Sequence, residues 1–154
     1  KALGNGYAIS ACVGIEAVKG AASEVFLTGS CWNDAVAITA AIESLKICTD
    51  ERVAESVLEK GKQFCSQIES LAHSRQIPLQ MTGVPSMPYP WIKGDENLYQ
   101  IQSLCKYCAS QGLFFHPHHN WFISNAMSEE DFTTSLKRAE IAFDHFCENS
   151  SKST

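Results

Sequence analysis

The chain opens with Lys1-Ala-Leu-Gly-Asn-Gly-Tyr-Ala-Ile-Ser-Ala-Cys-Val-Gly14, which combines a lysine, a glycine-rich turn and a run of small and apolar residues. The dipeptide Asn5-Gly6 favours a tight turn, because glycine reaches positive φ without steric cost. Residues 7–13 carry small or apolar side chains on both faces, which predicts a strand covered on both sides. A lysine at the start of such a strand lies near low-dielectric surroundings, which favour its neutral, nucleophilic amine. The opening therefore predicts an amine suited to Schiff-base chemistry with an aldehyde, although a surface lysine beside a turn is the commoner interpretation of this pattern.

The composition limits the classes of partner. With 154 residues, 45% of them hydrophobic, the chain is long enough for one domain or parts of two. The formal net charge is -5 and no stretch concentrates lysine or arginine, which argues against a nucleic acid or an anionic membrane surface. No apolar stretch approaches the ~20 residues that a membrane span requires, and no signal-peptide pattern is present. Small solutes and other proteins remain as the expected partners.

The cysteines indicate a reducing compartment. They are odd in number and lie in apolar runs, which favours packed thiols in a cytoplasmic protein over a secreted disulfide framework. The first residue is lysine instead of methionine, so we expect a cleaved or cut piece with much of the protein upstream. The seven cysteines are Cys12, Cys31, Cys48, Cys65, Cys105, Cys108 and Cys147.

The first part of the chain is predicted to continue with a second strand and two helices. Residues 24–28 form the strand candidate, and Gly29-Ser-Cys-Trp-Asn33 forms the loop that follows it. Residues 34–47 are alanine-rich and apolar all round, which predicts a helix buried on most faces. Thr49 is suited to cap a further helix of about 24 residues, long enough to connect two domains. The apolar stripe of that helix would consist of Val53, Val57, Gly61, Phe64, Ile68 and Leu71.

The pattern changes after the long helix. Four prolines between residues 78 and 90 favour turns and edge strands. Gly112 is suited to end a helix over 96–110, and Ser128, followed by three acidic residues, is suited to begin a last helix. The strand candidates are Leu79–Thr82, Tyr89–Ile92, 113–115 and 121–124. The buried faces of the two helices would carry Leu98, Ile101, Cys105 and Cys108, and Phe132, Leu136, Ala139, Phe143 and Phe146.

Four stretches, in order, resemble segments of one family. Residues 1–11 look like the cofactor-lysine segment of class III aminotransferases, the fold-type-I enzymes that use pyridoxal phosphate (PLP), especially the glutamate-1-semialdehyde aminomutase branch. Residues 26–34 and the helix after them are similar to the family segment in which a hydroxyl binds the cofactor phosphate. Gly83-Val-Pro-Ser86 resembles the start of the small-domain strands, and 123–131 resembles the terminal strand leading into the last helix. The resemblance extends as far as Phe146.

The resemblance implies a fold and a division of the chain. The expected class is α/β, with residues 1–48 as the end of the large cofactor-binding PLP-transferase domain, which has a mixed, mainly parallel sheet. Residues 49–150 would be a connecting helix and an α+β C-terminal small domain, and 151–154 a polar tail. The family's phosphate-cradling glycine loop, ring-stacking aromatic residue and pyridine-binding aspartate all precede the lysine. We therefore expect this chain alone to be inactive.

The resemblance also implies roles for single residues. Lys1 would be the catalytic residue, holding PLP as an internal aldimine and then, as a free amine, shuttling the proton between the substrate's α-carbon and the cofactor. The phosphate-binding hydroxyl is Ser30, where threonine is usual, with Thr28 as the candidate if the loop is shifted by two. In the family this hydroxyl reaches the neighbouring subunit, which implies a homodimer with shared active sites. The implied reaction transfers an amino group between a small-molecule amino donor and a carbonyl acceptor.

The chain departs from the family pattern at a residue that binds the substrate. Many class III members use an arginine in the C-terminal segment to bind a substrate α-carboxylate, yet residues 114–125 contain none. The donor would then be held by residues outside this chain, or would not be a standard α-amino acid. His118 or Asn120 would line the mouth of the active site. Trp32 would pack either at the subunit contact or as an ordinary buried aromatic residue.

A function of a different class is a non-catalytic or zinc-binding α/β module. Cys105-Lys-Tyr-Cys108 and the histidines of the segment His116 to His119 are residue types that zinc accepts. Both cysteines also fit the apolar face of a predicted helix, and the histidines fit a polar turn between strands. Core thiols are therefore the ordinary interpretation, and no metal site is predicted.

Overall fold

The computed structural model describes residues 1–26 and 29–150, so Thr28 and the predicted tail 151–154 lie outside the described residues. The order of elements is a 3-10 turn Glu16–Val18, α1 Lys19–Glu24, α2 Ala35–Asp50, α3 Val53–His73, β1 Leu79–Thr82, β2 Tyr89–Ile92, α4 Tyr99–Ser110 and α5 Glu129–Ser150. The chain forms two compact units, unit 1 over Lys1–Val53 and unit 2 from Ala54 onward. Over the same ranges, every helix is too short or too polar to cross a bilayer.

The two strands predicted for unit 1 are wrong where the structure describes them. Residues 8–15 have no regular secondary structure, and the side chains of 10–15 are exposed. Part of the second candidate, 24–28, is instead the end of α1, and its last two residues lie outside the described part of the chain. A strand needs a neighbour to bond its N–H and C=O groups, and no described residue pairs with 7–13. The predicted mainly parallel sheet is accordingly not formed by the described residues.

Helix α2 forms as predicted but is not buried. Asp34 caps its first turn, with Oδ1 accepting hydrogen bonds from the backbone N–H of Val36 at 3.0 Å and of Ala37 at 3.3 Å. Only Ala37 and Ala41 are buried in this helix. Thr49 does not begin the next helix, since its hydroxyl donates to the carbonyl of Leu45 at 2.9 Å inside α2. The prediction of burial on most faces is therefore wrong for unit 1.

Unit 2 is built around one hydrophobic core. Helix α3 contributes the predicted stripe, in which Gly61, Phe64 and Ile68 are buried. A Cβ atom at Gly61 would overlap the carbonyl oxygen of Pro85, so the absence of a side chain lets that loop approach the helix. The fully buried side chains of the core include Ile68, Leu79, Ile92, Ile101, Leu104, Cys108 and Phe143.

The sheet consists of β1 and β2, which pair antiparallel with the bounds predicted from the sequence. Met81 lies opposite Pro90, and the N–H of Met81 donates to Glu69 Oε1 at 2.6 Å instead of to β2. Position 90 therefore needs no N–H toward β1, which explains why this strand tolerates a proline. One face of the pair is buried through Leu79 and Ile92.

Caps fix the ends of α4 and α5. The buried Asp95 accepts hydrogen bonds from the backbone N–H of Gln100 at 3.1 Å and of Ile101 at 2.8 Å, so its carboxylate caps α4. Gly112 has φ +73 just after that helix, as predicted. Ser128 and Asp131 form a reciprocal cap on α5: Asp131 Oδ2 accepts from the Ser128 N–H at 2.7 Å, and Ser128 Oγ accepts from the Asp131 N–H at 3.3 Å.

The last two strand candidates, 113–115 and 121–124, are extended segments without strand pairing among the described residues. The second is nevertheless bonded to the sheet region, because the N–H of Trp121 donates to Pro88 O at 2.8 Å and that of Ile123 to Ser86 O at 3.0 Å. The rings of Phe115 and Trp121 stack with centroids 3.7 Å apart and an interplanar angle of 9°. These contacts join the two segments to the core.

Candidate active site

The sequence-predicted residues Lys1 and Ser30 line the same cavity of unit 1, whose volume is about 1170 Å³. Apolar walls are supplied by Tyr7, Ile9 and Ile38, the last from the second turn of α2. The structure thus brings an amine and a hydroxyl to one concave surface, although they are distant in sequence. Ligand pockets commonly have this size order and this mixture of apolar walls with a few polar groups.

The turn after Lys1 forms as the sequence predicts. The N–H of Tyr7 donates to the carbonyl of Gly4 at 3.1 Å, with φ +44 at Asn5 and φ +115 at Gly6. Gly4 is buried, and a Cβ there would overlap the Tyr7 carbonyl oxygen and come within 2.7 Å of Ile9 Cγ2. Two glycines are therefore required, one for close approach of the backbone and one for positive φ.

The loop that carries Ser30 forms a turn over residues 30–33, as predicted. It leads into the Asp34 cap of α2, and the Asp34 N–H lies 3.4 Å from the carbonyl of Cys31. The indole of Trp32 lies against Gly29, where a Cβ would overlap its Nε1. Trp32 is 56% exposed, so within unit 1 it is not an ordinary buried aromatic residue.

The expected burial around the Lys1 amine is not provided by the described residues. Lys1 is exposed, as are Tyr7 and the residues from Ser10 to Gly14. The low-dielectric surroundings inferred from a doubly covered strand depended on that strand having neighbours. The prediction of a buried setting for the amine is therefore wrong for the described chain, while the shared cavity with Ser30 remains.

The cysteine thiols are not all packed in a core. Cys12, Cys31 and Cys48 are exposed in unit 1, which corrects the expectation of buried thiols there. Cys105 and Cys108 are buried in the core on α4, and burial raises the pKa of each thiol to about 12. Zinc binds the thiolate form, which this setting strongly disfavours. Among the residues that the structure describes, no group of three or more metal-ligating side chains is brought together.

The two residues predicted for an active-site mouth differ in setting. Asn120 lines a cavity of unit 2, where its side-chain N–H donates to the Met87 carbonyl at 2.8 Å. His118 is exposed and does not line that cavity.

Several residues that line the unit 1 cavity were not singled out in the sequence. Ile9 follows the glycine turn, Cys31 follows Ser30, and Ile38 lies one helical turn after the Asp34 cap. The position of Ile38 could have been inferred from the Asp34 cap, because residues four apart on a helix share a face. Ile9 and Cys31 could have been inferred from their closeness in sequence to the glycine turn and to Ser30.

Comparison with known proteins finds aminotransferases that are similar to nearly the whole chain. No protein-family model matches the chain. The aminopentol aminotransferase of Sphingopyxis macrogoltabida is 32% identical over 143 residues, which cover 93% of this chain and 34% of that protein. The 3-aminobutyryl-CoA aminotransferase of Cloacimonas acidaminovorans (strain Evry) is 32% identical over 148 residues, covering 92% of this chain and 36% of that protein.

Solved structures that contain PLP also resemble the chain. The FumI protein of Sphingopyxis sp. MTA144, in its PLP internal aldimine form, matches with a TM-score of 0.90 and 30% identity, covering 97% of this chain and 36% of that one. A transaminase with PLP bound matches in fold, with a TM-score of 0.72, 15% identity, and coverage of 82% of this chain and 31% of that one. The chain therefore spans about a third of the length of the aminotransferases that it resembles along nearly all of its own length.

Proposed function

We propose that the chain is part of a PLP-dependent aminotransferase of the class III, fold-type-I kind, similar to the glutamate-1-semialdehyde aminomutase branch. The observation that carries the proposal is the cavity lined by Lys1, with Ser30 on the same concave surface as the hydroxyl that would be offered to the neighbouring subunit's cofactor. In the same proposal, residues 1–48 end the large cofactor-binding domain, and 49–150 form the connecting helix and the small domain. The aminotransferase relatives and the PLP-bound neighbours support it.

The residues of the cavity fit the cofactor. Lys1 supplies the amine that an aldehyde requires, and Ser30 supplies a hydroxyl able to donate to a phosphate oxygen. Tyr7, Ile9 and Ile38 offer apolar and aromatic surface for a flat ring. The volume of about 1170 Å³ is ample for a ligand of that size.

In this mechanism PLP, when bound, supplies an electron sink that makes a bond at the substrate's α-carbon easier to break. Lys1 would hold the cofactor by its aldehyde group, and its freed amine Nζ would be the base that moves a proton between the substrate's α-carbon and the cofactor side. In the homodimer, Ser30 of each chain would bind the phosphate end of the cofactor held by the other chain, which would keep the reacting carbon within reach of that chain's Lys1.

The proposed substrates are a small-molecule amino donor and a carbonyl acceptor. The absence of arginine from residues 114–125 favours a donor without a free α-carboxylate in that region. Two relatives are named for an aminopentol and for a 3-aminobutyryl-CoA, and neither name describes a standard α-amino acid. These names support the choice of donor class.

We further propose that the protein acts in the cytoplasm as a homodimer with shared active sites. The thiols of six described cysteines are free, as is usual in a reducing compartment: Cys12, Cys31, Cys48, Cys65, Cys105 and Cys108. Large apolar side chains of α2 are exposed in unit 1, among them Val36, Ile42 and Leu45, and a subunit contact would cover them.

Trapping the lysine tests the proposal. The chain is incubated with PLP, reduced with borohydride, digested, and analysed by mass spectrometry for modified lysines. We expect the largest share of adduct at Lys1, because it lines the cavity, and much less at Lys19, which is exposed in the same unit and paired with Glu16 at 3.1 Å. The variant Lys1→Arg keeps the α-amine and removes Nζ, so it identifies which amine reacts. Equal labelling of Lys1 and Lys19 would contradict the role given to Lys1.

The phosphate role of Ser30 is tested by comparing PLP with pyridoxal, which lacks the phosphate. In Ser30→Ala, retention of PLP at Lys1 should fall about tenfold, because a hydrogen bond to a charged group contributes about 1.5 kcal/mol or more. Retention of pyridoxal should not change. A parallel loss of both compounds would show that the substitution disturbs the cavity and not a phosphate contact.

A further inference from the structure

Unit 2 contains a cavity of about 800 Å³, which Asn120 helps to line. It lies between α3, the segment 113–127 and the first turns of α5. Aromatic rings form much of its wall: Phe64 from α3, Phe115 and Trp121 from the segment, and Phe132 from α5. The cavity is therefore a candidate binding site formed by unit 2 alone.

The ring geometry suits a flat aromatic guest. The Phe64 ring is tilted against Phe132 with centroids 5.6 Å apart, and meets Phe115 edge-on with centroids 6.4 Å apart. Phe115 is in turn held by stacking on Trp121. Aromatic rings prefer offset and edge-to-face neighbours at about 4.5–7 Å. A planar ring system in the cavity would therefore meet ring edges and faces with which it can pack.

Two histidines at the cavity have opposite hydrogen-bonding requirements. The backbone N–H of His118 donates to His116 Nδ1 at 3.1 Å, so in neutral His116 the proton must be on Nε2, which becomes a donor. His119 Nδ1 lies 3.1 Å from the carbonyl of Asn120, which can only accept, so Nδ1 carries the proton and Nε2 is an acceptor. Both histidines line the cavity, and their ring centroids are 5.9 Å apart.

Neither Nε2 atom is hydrogen-bonded to another residue in the described part of the chain. One ligand group that accepts from His116 and donates to His119 would satisfy both. A primary carboxamide does this with its carbonyl oxygen and its NH₂.

Charge at the cavity disfavours an anionic ligand. Asp131 also lines it, and hydrogen bonds from the backbone N–H and the hydroxyl of Ser128 hold the pKa of this carboxylate below its usual range. A second carboxylate in the same cavity would be repelled, though only weakly because Asp131 is exposed. Among the residues described, no lysine or arginine side chain lines the cavity, and the nearest cation is Lys60, whose Nζ donates to the carbonyl of the lining residue Met127 at 3.2 Å.

We propose that this cavity binds an uncharged ligand with a flat aromatic body and a primary carboxamide head, the head bridging His116 and His119. The aromatic wall recognises the body, and the two tautomers select a head that both donates and accepts.

The test is titration of the chain with 2-naphthamide by calorimetry, beside 2-naphthoate as an isosteric anion. We expect saturable one-site binding of the amide. Binding of the naphthoate should be about tenfold weaker or less, because it lacks the donor and adds a second anion. Equal affinity for the two compounds, or no saturable binding of the amide, would overturn the proposal.

Matched variants locate the site. His119→Ala should weaken amide binding about fivefold, the loss expected for one neutral hydrogen bond. His118→Ala is the control, since His118 is in the same turn but is exposed and does not line the cavity. Ser135→Phe, which places a ring at the cavity from α5, should abolish binding while circular dichroism shows an intact fold. The proposal is wrong if His118→Ala weakens binding as much as His119→Ala, or if folded Ser135→Phe still binds.

Discussion

Units 1 and 2 use apolar sequence in opposite ways. In unit 2, α3 buries Phe64, Ile68 and Ala72 on one face and presents polar residues on the other. In unit 1, α2 is apolar on most faces, yet Ile42 and Leu45 are 61% and 55% exposed. An amphipathic helix finds its partners within its own unit, whereas a helix that is apolar all round needs partners on several sides. Apolar content alone therefore does not build a core.

The largest expected effect tests this contrast directly. Ile68→Ala removes a side chain with no exposed surface from the core of unit 2, and should lower the free energy of unfolding by about 4 kcal/mol. The matched substitution Ile42→Ala in α2 should change it by less than about 0.5 kcal/mol in the monomeric chain, because that side chain is 61% exposed within unit 1. Urea denaturation followed by circular dichroism measures both.

If Ile42→Ala destabilised the chain as strongly as Ile68→Ala, α2 would be packed in solution. The contrast between the units would then be wrong.

The next effect compares two helix caps. Asp95→Ala removes a buried carboxylate that accepts two backbone hydrogen bonds at the start of α4, and should cost about 2–3 kcal/mol. Asp34→Ala removes the exposed cap of α2 and should cost about 1 kcal/mol, because water can replace its hydrogen bonds. Thermal unfolding of the two variants gives the difference. Equal costs would mean that burial does not distinguish the caps.

The smallest effect concerns an ion pair of unit 2. Arg75 Nε donates to Asp144 Oδ1 at 2.6 Å, and this hydrogen bond holds the pKa of Asp144 below its ordinary value of 3.8. Because the folded-state pKa is depressed, the pair stabilises the fold above the unfolded pKa. That contribution is lost as the pH falls through the folded-state pKa. Asp144 is 51% exposed, so solvent screening keeps the contribution below about 1 kcal/mol.

The measurement is urea denaturation of the natural chain and of Asp144→Asn at several pH values. Their difference in stability should be constant near neutral pH and shrink toward zero below pH 3.8. A difference that persisted in strong acid would have to come from packing instead of charge.

Local signals in the sequence were sufficient to predict where most helices and strands of unit 2 begin and end. Prolines and turn residues limit β1 and β2, Gly112 ends the region of α4, and the Ser128–Asp131 pair begins α5, all as predicted. Each of these signals acts within a few residues of its effect. The Asp95 cap was missed, because the carboxylate lies five and six residues before the N–H groups that it binds.

Unit 1 shows where sequence patterns are insufficient to predict the structure. Residues 7–13 have the composition of a covered strand, but a strand exists only with neighbours, and the described residues supply none. Thr49 has the residue type of a cap but continues α2, because its hydroxyl finds the Leu45 carbonyl inside that helix. For the site, the motif order indicated Lys1 and Ser30, whereas their shared cavity required the fold.

The carboxylate of Glu69 has a consequence for how unit 2 meets other chains. An open strand edge offers N–H groups onto which a foreign strand can add, and a two-stranded sheet has such an edge on each side. By accepting from the Met81 N–H, Glu69 occupies the donor in the middle of β1 and sets a negative charge beside it. A foreign strand that paired with β1 along this edge would first have to displace the Glu69 carboxylate from the Met81 N–H.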